Sequence, residues 1–155
     1  MPTPFQAAAG VPNLCQALPN IVTGGQPSAA QLESLKHAGV SVVLDLRDPM
    51  EPRPFDEPSL VRQLGMEYVN VPVVAGRQTD AQLDKILQVL RGAGDKQVFF
   101  HCASANRVGA AMIPYLMTDA GMEEEDAVSE AMRIGMRSAE LMEWGLTYGR
   151  KQSLG

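Results

Sequence analysis

The stretch "KQVFFHCASANRVGAAMIPYLM", residues 96–117, decides how this chain is read. It opens with bulky and β-branched residues that suit a buried strand. It then stops at His101 and Cys102, crosses four small or polar residues, and resumes at Arg107 as an apolar helix. A helix that starts just after a strand points its free N–H groups back at the connecting loop. Those groups favour an anion, either a bound oxyanion or the Cys102 thiolate itself. Arg107 adds a planar, permanently charged fork suited to phosphate or sulfate oxygens. Ala103, Ser104, Ala105 and Asn106 are small enough for their amides to turn inward as a nest, with Asn106 the residue expected to tolerate a positive φ. His101 is placed to orient the loop through its ring nitrogens rather than to act as a base.

The rest of the chain alternates around this element. A capping box, Ser28 with Gln31, opens a helix over 27–39 that Gly39 ends. A β-branched strand follows at 40–46, then a proline-rich loop at 47–58. A short helix at 59–65, a strand at 67–73 and a second capping box, Thr79 with Gln82, lead to a helix over 81–94. A short strand at 20–25 precedes all of these, and helices are expected over 107–121, 123–136 and 138–151. Alternating strands and helices imply an α/β fold with a mostly parallel central sheet and helices on both faces. Residues 1–19, with four prolines and an Ala tract, read as a loosely ordered arm, and 20–155 as a single domain. Ligands of such sheets bind beyond the carboxyl ends of the strands. Asp45, Arg47, Asp48, residues 72–77 and the 101–107 loop all fall there.

Composition narrows the function. A net charge of −5 argues against a nucleic-acid partner, which normally leaves a basic footprint. No stretch approaches the ~20 apolar residues of a membrane span, so a soluble, cytoplasmic protein is expected. Two cysteines make no disulfide framework, and two distant histidines without paired cysteines argue against zinc, so neither a metal nor a cofactor is expected. Cys15 reads as incidental, His37 as a solvated residue late in a helix, and Glu123 to Asp126 as an acidic helix start. The methionines at 112, 117, 132, 136 and 142 fall at helical spacings and read as core filler. Pro114 should free the carbonyl of Ala110 within its helix.

"HCASANR" resembles the signature of cysteine-dependent phosphatases, although ordinary members place five residues between Cys and Arg and this chain has four. That spacing is similar to the beta-lactamase-hydrolase-like protein phosphatase family, a bacterial branch of the tyrosine/dual-specificity phosphatase fold. "GGQPSAAQLESLKHAGVSVVLDLR" (24–47) resembles the family's opening turn, helix and strand, and "YVNVPV" (68–73) its middle strand. The resemblance covers roughly residues 20–118. It implies a hydrolase of phosphoesters in which Cys102 attacks phosphorus while Arg107 and the amides of 103–107 hold the oxygens, acting on a phosphorylated substrate or small oxyanion.

Two departures from the family pattern stand out. Many relatives carry an Asp after the middle strand as general acid, where this chain has Val74, Ala75 and Gly76. The hydroxyl residue that often follows the Arg is Val108. Each such group typically contributes ~10²-fold or more, and Asp48, Glu51 and Asp80 are the candidate substitutes for the acid. The four-residue spacing is also similar to the rhodanese loop. A sulfurtransferase or persulfide carrier is therefore the second reading, and a non-catalytic anion-binding module the third.

Overall fold

A computed structural model describes residues 1–154. Five strands form one sheet: β1 (Cys15–Leu18), β2 (Ile21–Gly24), β3 (Val40–Asp45), β4 (Glu67–Asn70) and β5 (Gln97–His101), in the order β1-β2-β5-β3-β4. β1 pairs antiparallel with β2, and every other pairing is parallel. Seven helices surround it: α1 (Pro4–Ala7), α2 (Ala29–His37), α3 (Glu57–Gln63), α4 (Asp80–Ala93), α5 (Asn106–Thr118), α6 (Glu124–Ile134) and α7 (Ala139–Leu154). The mixed α/β architecture expected from the alternation is the one observed.

Alternation within the strands sorts the core into two layers, because successive side chains point to opposite faces. Ile21, Val42, Leu44, Val98 and Phe100 pack with α4 to α7, while Val22, Val43 and Phe99 pack with α2 and α3. The first capping box forms as read, Ser28 and Gln31 exchanging bonds of 2.8 and 3.1 Å, and at the second Gln82 Oε1 accepts from the Thr79 amide at 2.6 Å and from its hydroxyl at 2.9 Å. The stretch read as a loosely ordered arm is built into the fold instead. Residues 15–18 form one of the two edge strands, and Ala8 and Val11 are buried against the α2 side. Of the five methionines, Met112 and Met136 are buried and Met117 and Met142 pack against the core, but Met132 is exposed.

α5 lies at the centre of the helical layer and is apolar nearly all round, with Val108 to Pro114 all buried. Its neighbours reach it through glycines. A Cβ on Gly109 would come within 2.6 Å of the Ala131 carbonyl oxygen, and one on Gly145 within 2.4 Å of the Ala110 oxygen. Pro114 has no N–H, so the Ala110 carbonyl lacks its helical partner, and the Cα of Gly145 closes over it. No described helix is long and apolar enough to cross a membrane.

Gly145→Ala is expected to lower stability by about 2–3 kcal/mol in urea unfolding, because backbone rather than a flexible side chain must shift. Gly92→Ala, on an exposed turn of α4 where an added Cβ meets nothing within 4 Å, should raise stability by about 0.5–1 kcal/mol through helix propensity. Equal effects at the two sites would contradict the packing described.

Candidate active site

Four strands end at one level. In the parallel register Gly24 lies opposite His101, His101 opposite Asp45, and Asp45 opposite Asn70. The chain leaves β5 at this line and enters the 102–105 loop. Neighbouring backbone holds the outer side of that loop: Cys102 N–H donates to Gly24 O at 3.3 Å, and Ala103 O accepts from Gln26 N at 3.0 Å. Ser104 O accepts from the Asn13 side chain at 2.8 Å. A Cβ on Gly25 would sit 2.4 Å from Ala103 O, so this approach requires glycine. With the carbonyls facing outward, the N–H groups of Asn106, Arg107 and Val108 bond no acceptor among the described residues. Gly109 N is the first to close a helical bond, on Ala105 O at 2.9 Å.

The left-handed residue of the loop is Ala105, at φ +70°, and not Asn106. Asn106 is the first residue of α5, and its Oδ1 accepts from the amides of Arg137 and Ser138 at 2.7 and 3.3 Å, tying the loop to the α6–α7 turn. The Ala105 methyl is buried against Gly135, where a Cβ would lie only 2.8 Å away. Ala105 thus holds a conformation that ordinarily costs an L-residue ~1–2 kcal/mol, inside packing that leaves it no other place.

Arg107 is clamped on one edge. Its Nη1 donates to Glu51 Oε2 at 2.7 Å and to Val73 O at 3.0 Å, and its Nη2 donates to Glu51 Oε1 at 3.0 Å. Counting five N–H donors on a guanidinium, the Nε–H and the second Nη2–H remain on the other edge. Burial works to lower the pKa of Arg107, but Glu51 and the charge of Cys102 raise it. Glu51 also accepts from Arg47 Nε at 3.3 Å and from the Asp48 amide at 2.7 Å. An open cleft of ≈ 730 Å³ ends at Arg107, walled by Met50, Pro52, Val74 and Ala75 with Asp48, Glu51 and Arg77. Cys102, with 0% exposure, lies outside its lining.

Beneath the loop sits a buried charge cluster that sequence spacing did not reveal. His101 contacts two acceptors, Cys102 O from Nδ1 at 3.1 Å and Glu57 Oε2 from Nε2 at 2.6 Å. Two acceptors require two N–H groups, hence an imidazolium. Burial would lower the pKa of His101, but Glu57 and Asp45 raise it; burial would raise that of Glu57, but His101 lowers it. Asp45 accepts from Tyr68 Oη at 2.7 Å and pairs with Arg53 at 3.1 Å. Asp45, Glu57 and His101 lie close enough together to suggest metal ligands. Their charges are instead met by His101 itself and Arg53, and neither ring nitrogen offers a lone pair.

The three candidate acids separate. The bond from Arg107 holds the Glu51 carboxyl at about 2, so it is ionised at neutral pH and has no proton to give. Asp80 pairs with Lys151 at 3.1 Å and lines a different cleft, with Glu140 and Trp144. Asp48 alone lies in the Arg107 cleft as a carboxylate without a cation, one oxygen accepting from Met50 N at 2.8 Å. Val74 is 37% exposed at the cleft wall, and Val108 is core.

A Glu51 carboxyl lowered from 4.5 to about 2 contributes stability that is complete above 4.5 and lost as pH falls toward 2. Because water still reaches part of this carboxyl and screens it, Glu51→Gln is expected to cost ~1–2 kcal/mol at neutral pH, shrinking to almost nothing at the acid end of that window. A cost that stays constant with pH would contradict the clamp.

Known proteins resemble the chain over most of its length. Residues 15–147 match the family described as DSP-PTPase phosphatase fused to NAD+ kinase. No curated protein matches. A DUF442 protein of Shewanella putrefaciens CN-32 superposes with a TM-score of 0.78 at 24% identity, covering 96% of this chain and 97% of its own. Tk-PTP in its active form gives 0.79 at 20%, covering 90% and 98%. P. aeruginosa TpbA, solved as a cysteine-to-serine variant in complex with phosphotyrosine, gives 0.69 at 22%, covering 89% and 83%. These likenesses show a shared fold of cysteine-dependent phosphatases, and phosphatase-like function is supported at the level of the family. With the family match spanning most of its length, the chain belongs to the DSP-PTPase phosphatase family.

Proposed function

We propose that this chain hydrolyses phosphomonoesters through a cysteinyl-phosphate intermediate, with Cys102 as nucleophile. The observation that carries the reading is a guanidinium in the same loop as Cys102, clamped on one edge by Glu51 and Val73, beside three unpartnered amides at the start of α5. Cys102 Sγ attacks phosphorus, forming the S–P bond as the ester P–O bond breaks and the leaving oxygen departs. Water then attacks phosphorus, the S–P bond breaks, and inorganic phosphate and the thiolate are released. Arg107 Nε–H and Nη2–H, with the amides of Ala103 to Arg107, hold the phosphoryl oxygens as charge spreads over them.

The apolar walls made by Met50, Pro52, Val74 and Ala75 suit an aryl phosphate, and phosphotyrosine bound to TpbA accords with this. Aryl leaving groups also need little protonation, which fits a cleft where Val74 stands in place of an acid. That Asp48 lines the same cleft without a cation partner supports it as the group that helps poorer leaving groups.

Cys102→Ser should abolish turnover of 4-nitrophenyl phosphate. Arg107→Lys should weaken inhibition by inorganic phosphate about tenfold or more, since the fork is lost while the charge stays. Iodoacetamide should label Cys102 at neutral pH before Cys15, whose thiol burial pushes up, and phosphate should protect Cys102. Labelling of Cys15 first would remove the support for nucleophilic chemistry. Phosphate binding without turnover would leave an anion-binding module, and acceptance of sulfur from thiosulfate without ester cleavage would favour the sulfurtransferase.

Val74→Asp is expected to raise turnover of alkyl phosphates by up to about 10²-fold while leaving activated aryl phosphates nearly unchanged. If Asp48→Asn alone abolishes alkyl phosphate turnover, Asp48 has taken over the acid role and the gain from Val74→Asp should be small.

A further inference from the structure

Gln26 belongs to neither end of the Cys–Arg loop, yet its side chain touches the supports of both. Its Nε2 donates to Glu57 Oε1 at 2.7 Å, and its Oε1 accepts from Arg47 Nη1 at 2.5 Å. Glu57 holds His101, which donates to Cys102 O. Arg47 holds Glu51, which clamps Arg107. Cys102 and Arg107 are therefore joined by one unbroken hydrogen-bonded path that runs outside the loop: Cys102 O, His101, Glu57, Gln26, Arg47, Glu51, Arg107. Every member except Gln26 is charged or is loop backbone, and Gln26 is the one neutral side chain in the path, its donor end on a carboxylate and its acceptor end on a guanidinium.

We propose that Gln26 is a positioning residue that couples the His101–Glu57 support under Cys102 to the Arg47–Glu51 clamp on Arg107, so that nucleophile and oxyanion fork are held in one geometry. This rests on the phosphatase reading for its functional consequence, though the coupling itself is a property of the network. An amide is required at this position. A carboxylate in place of Gln26 would face Glu57 with two acceptors and no proton between them. An amide in place of Glu57 would turn an NH₂ group toward the NH₂ of Gln26, and flipping Gln26 would only present that NH₂ to Arg47. Buried polar groups left unsatisfied in this way cost more than the bond itself contributes. Exchanging the two side chains removes both conflicts and leaves only the lost bond from Gln26 Nε2 to Pro27 O, 3.0 Å in the wild type. The amide now at position 57 accepts from His101 and donates to the carboxylate now at position 26, which in turn accepts from Arg47.

The test is that exchange. Gln26→Glu and Glu57→Gln are prepared singly and together, and inorganic phosphate affinity is measured alongside the Nε–H resonance of Arg107 by ¹⁵N NMR. Each single variant should weaken phosphate about tenfold and shift or broaden the Arg107 resonance. The double variant should recover phosphate affinity to within about threefold and restore the resonance, a coupling that independent sites do not show. If the singles do not fold, Gln26→Met, which keeps the volume without a polar group, should give the same loss at both readouts. A harmless Gln26→Glu or Gln26→Met, or a double variant no better than the worse single, overturns the coupling. If the wild type binds no phosphate, the phosphatase reading fails by itself, and the Arg107 resonance across the same variants decides the coupling.

Discussion

The structure depends on the parallel register that brings β2, β5, β3 and β4 to an end on one line, at Gly24, His101, Asp45 and Asn70. Parallel strands cannot be joined by tight turns, so each must hand its chain to a loop and helix at this edge. Everything with chemical potential is gathered there for that reason. β5 is central, so its loop is flanked on both sides, by Gly25 and Gln26 after β2 and by Arg47 after β3. The carbonyl of Ala103 is drawn outward by the Gln26 amide and that of Ser104 by the Asn13 side chain. What remains facing inward is a set of amides, a helix start and a guanidinium, which together favour negative charge.

Burying this many ionised groups is costly unless each is paired. The solution here is alternation of sign. Arg53, Asp45, His101 and Glu57 lie behind the loop, and Arg47, Glu51 and Arg107 in front of it. The two sets have complementary tasks. The rear set fixes the backbone of Cys102 through His101, and the front set fixes the direction of the Arg107 fork. Glu51 thereby serves as an anchor, and its deep ionisation is the mark of that role rather than of proton transfer. Ala105 shows the same logic in packing, since its left-handed backbone persists because Gly135 and the surrounding core over-determine it.

Much of this was legible from the residues. The two capping boxes, the β-branched run at 40–46 and the abrupt change after Phe100 carry local signals, and each produced the element it implied. The Cys–Arg spacing located the loop for the same reason, as a feature of six consecutive residues. What escaped is non-local. The bonds His101–Glu57, Gln26–Glu57 and Arg107–Glu51 join residues 44, 31 and 56 positions apart. No periodicity records such pairs. The edge strand at 15–18 was missed because four residues between loops carry too little pattern to outweigh the prolines around them. The positive φ fell on Ala105 because tertiary packing, not side-chain preference, set it.

The covalent step proposed at Cys102 is tested most directly by chemical trapping of the intermediate. The protein is mixed with a ³²P-labelled aryl phosphate, quenched in acid within a single turnover, digested and mapped. A label on the peptide that holds Cys102, absent from Cys102→Ser and chased by unlabelled substrate, is the predicted result. Aryl phosphate turnover with no label on Cys102, or with label on another residue, would contradict it.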